Sequence, residues 1–184
     1  MIKKAVLFLA DGFEEMEALT PVDVLRRAGV EVTVAGISGK SATGAHGVTV
    51  QADIALSELT GNFDLLIFPG GMPGSKNLGE SAKAKELAIK HAGAGKLIAA
   101  ICAAPVFTLG AWGILDGKTA TCYPGMDNLL PAGVKFSPDR VVVDGNVITS
   151  RGPGTATEFS LALVEKLVDK AMVQSLSNDM VVKQ

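Results

Sequence analysis

Three runs in this chain, Val6 to Ala10, Phe63 to Phe68 and Leu97 to Ile101, are apolar at nearly every position and only five or six residues long. A strand with one face in water alternates apolar and polar residues. A strand that is apolar throughout is covered on both faces, the signature of a parallel sheet held between helices. Each run stops abruptly, at Asp11-Gly12, at Pro69-Gly70-Gly71 and at Cys102-Ala103-Ala104. Helical spacing follows: Met16, Leu19, Val22 and Leu25 after the first run, Ser81 to Ala92 after the second, Ala104 to Gly110 after the third. Pro21 falls inside the first helix, which either kinks there or restarts with Thr20 as cap.

Further along, Val30 to Ala35 reads as a second strand, Gly36 to Gly47 as a polar loop and Val48-Thr49-Val50 as a short alternating stretch. Thr119 to Tyr123 and Arg140 to Ser150 read as strands, the latter folded into a hairpin at Asp144-Gly145. Phe159 to Ala171 has helical spacing, and Thr155-Ala156-Thr157-Glu158 supplies a capping box before it. Strands alternating with helices predict an α/β fold with a mainly parallel sheet and helices on both faces. With 184 residues, 48% apolar, and no linker or repeat, residues 1–184 are expected to form a single domain.

Charge narrows the partners. Seventeen basic side chains against nineteen acidic ones leave neither a nucleic-acid groove nor an anionic membrane as an expected partner, so the ligand is small or is another protein. Leu97 to Leu115 is uncharged over nineteen residues, the length of a bilayer span, but Pro105, Gly110 and Gly113 break it into a buried strand and helix. The opening MIKKAVLFLADG is too short in its apolar part for a secretory signal and reads as a strand. The cysteines, Cys102 and Cys122, make no disulfide framework and no zinc-ligand spacing, so a reducing cytoplasm, no metal and no cofactor are expected.

Ligands of open parallel sheets collect at the carboxyl ends of the strands. Three unusual stretches fall there: Asp11 to Glu17, Pro69 to Gly74 and Ile101 to Pro105. The alanines around Cys102 suit a tight strand-to-helix elbow, where helix N–H groups would favour thiolate, though a lone cysteine is often only a buried packing residue. Glu14, Glu15 and Glu17 open a helix, where negative charge is stabilised anyway; Glu17 is the one placed to turn inward, raise its pKa and serve as an acid/base partner. Gly70-Gly71 either makes a plain tight turn or turns its N–H groups toward an anion. No nucleotide fingerprint is satisfied: Gly70, Gly71 and Gly74 are not GxGxxG, and Val34 stands where Gly39-Lys40-Ser41 would need a preceding glycine. His46 and His91 sit in polar contexts and are read as solvated, and neither follows Cys102, so the chain assembles no ordered Cys-His-acid triad.

FLADGFEEMEALTPVDVLRRAGV, LIFPGGMPGSKNL, AAICAAP and ITSRGPGTATEF, in this order from about residue 3 to about residue 170, resemble the ThiJ/PfpI (DJ-one/PfpI) superfamily, within it the branch of the parkinsonism-associated deglycase and YajL. The resemblance implies a flavodoxin-like three-layer sandwich, a homodimer and an oxidisable cysteine at Cys102. It also implies a carboxylate at Glu17 touching that cysteine, and anion-holding N–H groups at Gly71 and Ala103. Two departures stand out. Tyr123 occupies the place of the deglycase branch's histidine and is a poor base at neutral pH, with an unperturbed pKa near 10. Ala103 follows Cys102 where the protease branch carries histidine, which argues against peptidase activity.

What the resemblance implies for function is action on 2-oxoaldehydes of the methylglyoxal type. The thiolate adds to the aldehyde, a proton moves between adjacent carbons, and a hydroxy acid leaves. Glyoxalase or protein-deglycase activity on a small carbonyl or a glycated protein is therefore one reading, weak because Tyr123 replaces the imidazole. The other is a redox-sensing chaperone or stress-response protein whose Cys102 oxidises to sulfinate beside protonated Glu17. A thiamine role has no residue behind it. Possible pocket residues are Gly70, Tyr123, Arg151 and Cys122: Arg151 as attractor of an anionic group, Cys122 as resolving thiol unless strand alternation points it away. Arg26 and Arg27 are read as surface ion-pair formers. The dimer surface and the placing of Val173 to Gln184 over the pocket are left open.

Overall fold

The computed structural model describes residues 2–183. The chain runs β1 (Lys4–Leu9), α1 (Glu15–Arg27), β2 (Glu31–Gly36), β3 (Ser41–Thr43), β4 (Thr49–Gln51), β5 (Ile54–Ala55), β6 (Leu65–Phe68), α2 (Gly74–Glu80), α3 (Ala82–Gly93) and β7 (Leu97–Ile101). It continues with a π-helical segment at Pro105–Gly110, then β8 (Thr119–Ala120), β9 (Lys135–Phe136), β10 (Val141–Asp144), β11 (Val147–Ser150), α4 (Ala156–Leu167) and α5 (Lys170–Asp179). Seven strands form the central sheet in the order β10-β11-β7-β6-β1-β2-β5, parallel throughout except for β10, which pairs antiparallel with β11 at one edge.

The strands alternate because the sheet is covered twice. Leu7, Leu9, Ile67, Ala99 and Ile101 face a core shared with Val24 and Leu25 of α1 and Phe159 and Leu163 of α4. Val6, Phe8, Leu66, Phe68, Ile98 and Ala100 face the other core, with Leu78 of α2, Ala84 and Ala88 of α3, and Trp112. This second layer is pinned by aromatic packing: Phe8 stacks on Phe68 at 4.8 Å, Trp112 meets Phe68 edge-on at 5.3 Å, and the Trp112 indole N–H donates to Gly79 O at 3.1 Å. The architecture is the expected α/β, flavodoxin-like three-layer sandwich.

Local differences from the sequence reading have local causes. The loop 36–47 contains β3, which zips antiparallel onto β4 from Thr43 opposite Thr49 to Ser41 opposite Gln51. One helix runs through Pro21, so no second segment starts there. A helix at Gly74–Glu80 precedes α3, which is capped by Ser81 Oγ accepting from Ala84 N. After Pro105 the backbone winds wider than an α-helix, with Ala111 N donating to Val106 O five residues back. Only Thr119–Ala120 of the stretch 119–123 is strand.

The capping box at Thr155 does not form. Its hydroxyl donates to Gly152 O at 2.8 Å, lies 2.6 Å from Ser150 Oγ and accepts from Gly152 N at 3.1 Å, while Glu158 pairs with Arg140 at 2.7 Å. The last helical stretch breaks after Leu167, and α5 restarts with Asp169 accepting from Met172 N at 2.8 Å. Buried Leu176 joins α5 to the α1/α4 core. Leu97 to Leu115 is strand, elbow and π-helical turn, and no helix among the described residues is long and apolar enough to cross a membrane.

Candidate functional site

The sheet order changes direction between β1 and β6: from β1 the chain adds β2 on one side, then crosses to β6 and β7 on the other. The crevice at such a switch point, outside the carboxyl ends of the strands, is where open α/β sheets bind ligands. The three stretches singled out in the sequence end β1, β6 and β7 there.

Cys102 follows β7 directly with φ 67°, in the left-handed region that a residue with a Cβ rarely occupies. Two backbone hydrogen bonds hold it: Cys102 N donates to Ser150 O at 2.9 Å, and Tyr123 N donates to Cys102 O at 2.8 Å. The elbow thus hangs between the ends of two neighbouring segments, and its side chain is buried to 8% exposure.

Glu17, on the first turn of α1, is fully buried beside the thiol. Gly70 N donates to its Oε2 at 2.8 Å, while Oε1 has no protein hydrogen-bond partner. Gly70 must be glycine: a Cβ there would overlap Glu17 Oε2 and Cys102 Cβ. Gly71, at φ 90°, carries the turn onward under the start of α1, where Glu14 N donates to Gly70 O at 3.0 Å. The N–H groups of Gly71 and Ala103 face the Cys102 sulfur. The geometry therefore gathers Cys102, Glu17, Gly70, Gly71 and Ala103 in one place.

Its electrostatics differ from the expectation of a thiolate favoured by helix N–H groups. Burial pushes the Cys102 thiol up, the Glu17 charge and hydrogen bond push it further, and the Gly71 and Ala103 N–H groups only partly counter them. Burial likewise raises Glu17 to about 7, against the pull of the thiol and Gly70 N–H and with a further push from Glu14. Around neutrality the carboxylate is the group that accepts a proton and the thiol is the one that still holds one.

A cavity of about 380 Å³ opens over the sulfur. Gly71, Cys102 and Ala103 form its floor; Met72, Tyr123, Met126 and Pro153 line its walls, and Glu14 and His46 complete the lining. Tyr123 is 43% exposed, and Gly152 separates its ring from Glu17: a Cβ at Gly152 would lie 3.4 Å from the ring and 4.0 Å from Glu17 Oε1.

Arg151 does not line this cavity. Its guanidinium donates to Pro138 O at 2.9 Å and lies over the Phe136 ring at 5.9 Å. Cys122 is fully buried and also absent from the lining, though it lies beyond the end of β8, and burial raises its thiol to about 11. Arg26 pairs with Asp53 at 3.1 Å and Arg27 with Asp23 at 2.9 Å.

His46, read as solvated, is so and also reaches the site. Though 69% exposed, its imidazole Nδ1 sits 2.9 Å from Glu15 Oε2 and 3.4 Å from Glu14 Oε2. Glu15 Oε1 also accepts from His46 N and Val48 N. Burial works to raise Glu15, but the imidazole and these N–H groups outweigh it and hold the carboxyl at about 2, while the same contact raises His46. Glu14, Glu15 and His46 bring one ligand-type atom each within 4.8 Å of one another, yet the ion pair already satisfies them. The advance signal was the polar loop Gly36 to Gly47, part of which pairs as β3 with β4 and so brings His46 here. His91, read as solvated, is half-buried with Nε2 2.9 Å from Leu97 O, beside a different cavity bounded by Phe63, Leu66, Lys90 and Lys96.

Comparison with known proteins agrees with this picture. The model of the DJ-1/PfpI family matches residues 3–166. The chain is 44% identical over 185 residues to Protein dj-1beta of Drosophila melanogaster, spanning 99% of this chain and 98% of that one. It is 39% identical over 176 residues to the Glutathione-independent glyoxalase DJR-1.2 of Caenorhabditis elegans, spanning 95% and 94%. Protein DJ-1 homolog B of Arabidopsis thaliana is 42% identical over 183 residues; the match takes 98% of this chain but only 42% of that longer protein. The crystal structure of Drosophila DJ-1beta superposes with a TM-score of 0.96 at 43% identity, each chain covered fully. Oxidized DJ-1 of Toxoplasma gondii superposes with a TM-score of 0.95 at 36% identity, covering 99% of this chain and all of the other. The chain belongs to the DJ-1/PfpI family.

Proposed function

We propose that this protein is a cofactor-independent enzyme of carbonyl stress, converting 2-oxoaldehydes such as methylglyoxal to hydroxy acids, and acting on early glycation adducts of the same carbonyls on proteins. The observation that carries this reading is the fully buried Glu17 beside Cys102, below the N–H groups of Gly71 and Ala103. A relative described as a glutathione-independent glyoxalase supports it.

In the first step the Cys102 sulfur bonds to the aldehyde carbon as its proton passes to the Glu17 carboxylate. The carbonyl oxygen takes up the π-electron pair, and the N–H groups of Gly71 and Ala103 stabilise that charge. Glu17 then returns the proton to this oxygen, giving a hemithioacetal. The freed carboxylate removes the hydrogen on the same carbon to give an enediolate and delivers a proton to the neighbouring ketone carbon, while the hemithioacetal hydroxyl passes its proton to the ketone oxygen; the first oxygen becomes the carbonyl of a thioester and the second its neighbouring hydroxyl. Water cleaves the thioester, restoring the thiol and releasing lactate; the sum is methylglyoxal plus water. Tyr123 takes no required part, and its phenol replaces a base, so turnover is slow.

The test is lactate formation from methylglyoxal by reduced wild type beside Cys102→Ala and Glu17→Gln. Activity in wild type and its loss in both variants is expected, with Glu17→Gln slower by about 10²- to 10⁴-fold. Wild type no faster than Cys102→Ala ends the enzymatic reading.

A second reading is a redox-sensing chaperone or stress-response protein. The partnerless Glu17 Oε1 is suited, when protonated, to donate to an oxygen on oxidised Cys102. Two equivalents of peroxide would make the sulfinate, seen as a gain of two oxygen atoms by intact mass. Residues 1–184 act as one domain in this proposal, in the cytoplasm, as a homodimer without nucleic acid or membrane as partner.

A further inference from the structure

A separate cavity of about 210 Å³ lies at the other end of the sheet from Cys102, where β6 and β7 begin. Phe63, Leu66 and Leu87 give it an apolar wall, and among the described residues the ionisable ones in its lining are all basic: Lys90, His91 and Lys96. The cavity across the loop 59–63 is different, because its charges are closed: Lys4 pairs with Glu31 and Glu58 with Lys40, each at 3.1 Å. Here the adjoining acid, Asp64, is turned away, accepting from Lys4 N at 2.9 Å and lying 3.9 Å from Lys3 Nζ. Glu86, one turn before Lys90 on α3, is outside the lining. The end of α3 does not absorb the positive charge either. Lys90 O accepts from Ala94 N, His91 O from Lys96 N, and Ala92 O from Gly95 N and Asn146 Nδ2. Lys96 donates to Phe63 O at 2.8 Å with one hydrogen of an ammonium that carries three. Burial, helped by Lys96, lowers His91 against the pull of the Leu97 carbonyl and Asp64, so near neutrality the ring is uncharged and its Nε2 donates to Leu97 O.

We propose that this cavity is a binding site for a small aromatic carboxylic acid, its ring against Phe63, Leu66 and Leu87 and its carboxylate against the Lys90 and Lys96 ammonium groups. Charge and shape select this class together. An uncharged apolar molecule leaves the lysines unanswered, and a bare anion leaves the apolar wall in contact with water. The volume is below the roughly 300 Å³ at which drug-sized ligands begin, which excludes a nucleotide or a long acyl chain. A singly charged head suits two lysines without an arginine fork, because a doubly charged phosphate costs more to take out of water. Leu66 faces the core of the α2 and α3 layer, whereas Glu17 and Cys102 belong to the α1 side at the far strand ends. The site is therefore independent of the thiol chemistry proposed above.

Phenylacetate is the probe, titrated into the isotope-labelled full chain in whatever assembly it adopts in solution and followed by backbone amide shifts. Saturable shifts are expected at Gly61, Asn62 and Ala94, which line the cavity. Phenylacetamide keeps the ring and loses the charge, and is expected to bind more weakly by about fivefold or more. Acetate keeps the charge and loses the ring, and is expected to be weaker by about tenfold or more. Lys90 is exposed, so Lys90→Glu is expected to fold as wild type does. It is expected to weaken phenylacetate by about fivefold or more while leaving phenylacetamide within about twofold, a split that a merely structural lysine would not produce. Absence of saturable shifts at these three amides overturns the site, whether the cavity is empty or covered by a second copy of the chain. Equal binding of phenylacetate and phenylacetamide overturns the charge complementarity on which it stands. Shifts confined to Gly71 and Ala103 would put the acid over Cys102 instead and overturn it as well.

Discussion

At the scale of single residues the site is built around a carboxyl that the fold would be more stable without. Glu17 is fully buried, and burial raises its pKa from 4.5 to about 7. The folded state therefore holds a proton that the unfolded state has released between these values. Stability from this group is greatest below about 4.5, declines as pH rises toward 7 and levels off above. A shift of this size corresponds to roughly 3 to 4 kcal/mol. Glu17→Gln keeps an oxygen for Gly70 N and removes the ionisation. It is expected to melt higher than wild type at pH 8, by about 6 °C or more, and equally at pH 4, while losing lactate formation. Equal melting at both pH values would contradict the assignment of that burial cost to Glu17. The proton acceptor also predicts that lactate formation rises with pH and half-saturates near 7, a profile that Cys102→Ala abolishes. Cys122 is absent from the cavity lining, so Cys122→Ala is expected to keep wild-type lactate formation to within about twofold and to leave peroxide oxidation of Cys102 intact. A disulfide found by mass after peroxide treatment would reverse that placement.

At the scale of elements, function depends on backbone turns meeting at the strand ends. The turn after β6 passes between the Glu17 carboxyl and the Cys102 elbow so closely that even a methyl group at Gly70 overlaps both. Gly70→Ala is expected to cut the Cys102 alkylation rate and lactate formation by at least about tenfold, because the carboxyl or the elbow must move. Unchanged rates would show that the turn yields instead. The opposite layer is held by Phe8, Phe68 and Trp112, and truncating the middle one, Phe68→Ala, is expected to cost about 3 to 5 kcal/mol in urea unfolding. Not every element was legible in advance. Apolar runs reveal β1, β6 and β7 because burial on both faces leaves no alternative residue types. β3, the π-helical turn and the Thr155 contacts were missed because each is decided by partners outside the local window. Thr155 shows why: its hydroxyl meets Ser150 and Gly152 instead of its own helix, so the capping pattern was present and the competing partners won.

At the scale of the whole molecule, the two cores share one sheet, so loss of either exposes the other. The single domain proposed for the chain is expected to unfold in one cooperative transition with matching fluorescence and circular dichroism midpoints, and light scattering is expected to give the mass of the proposed homodimer. Two separated transitions would argue against one unit, and a monomer mass against the dimer. The amino-acid sequence by itself determined the α/β layering, because strand-length apolar runs can be satisfied only inside a covered sheet. It also determined the three turn segments at the strand ends, because glycine, alanine and an isolated thiol are what tight elbows at a sheet edge permit. Only the tertiary structure decided which way charged side chains point and what they meet there. His46 reaches Glu15 across 31 residues, Arg151 leaves the cavity for Phe136, and the Cys102 thiol is raised instead of lowered. Side-chain direction and local dielectric are set by atoms distant in the chain, and no periodicity along it encodes them.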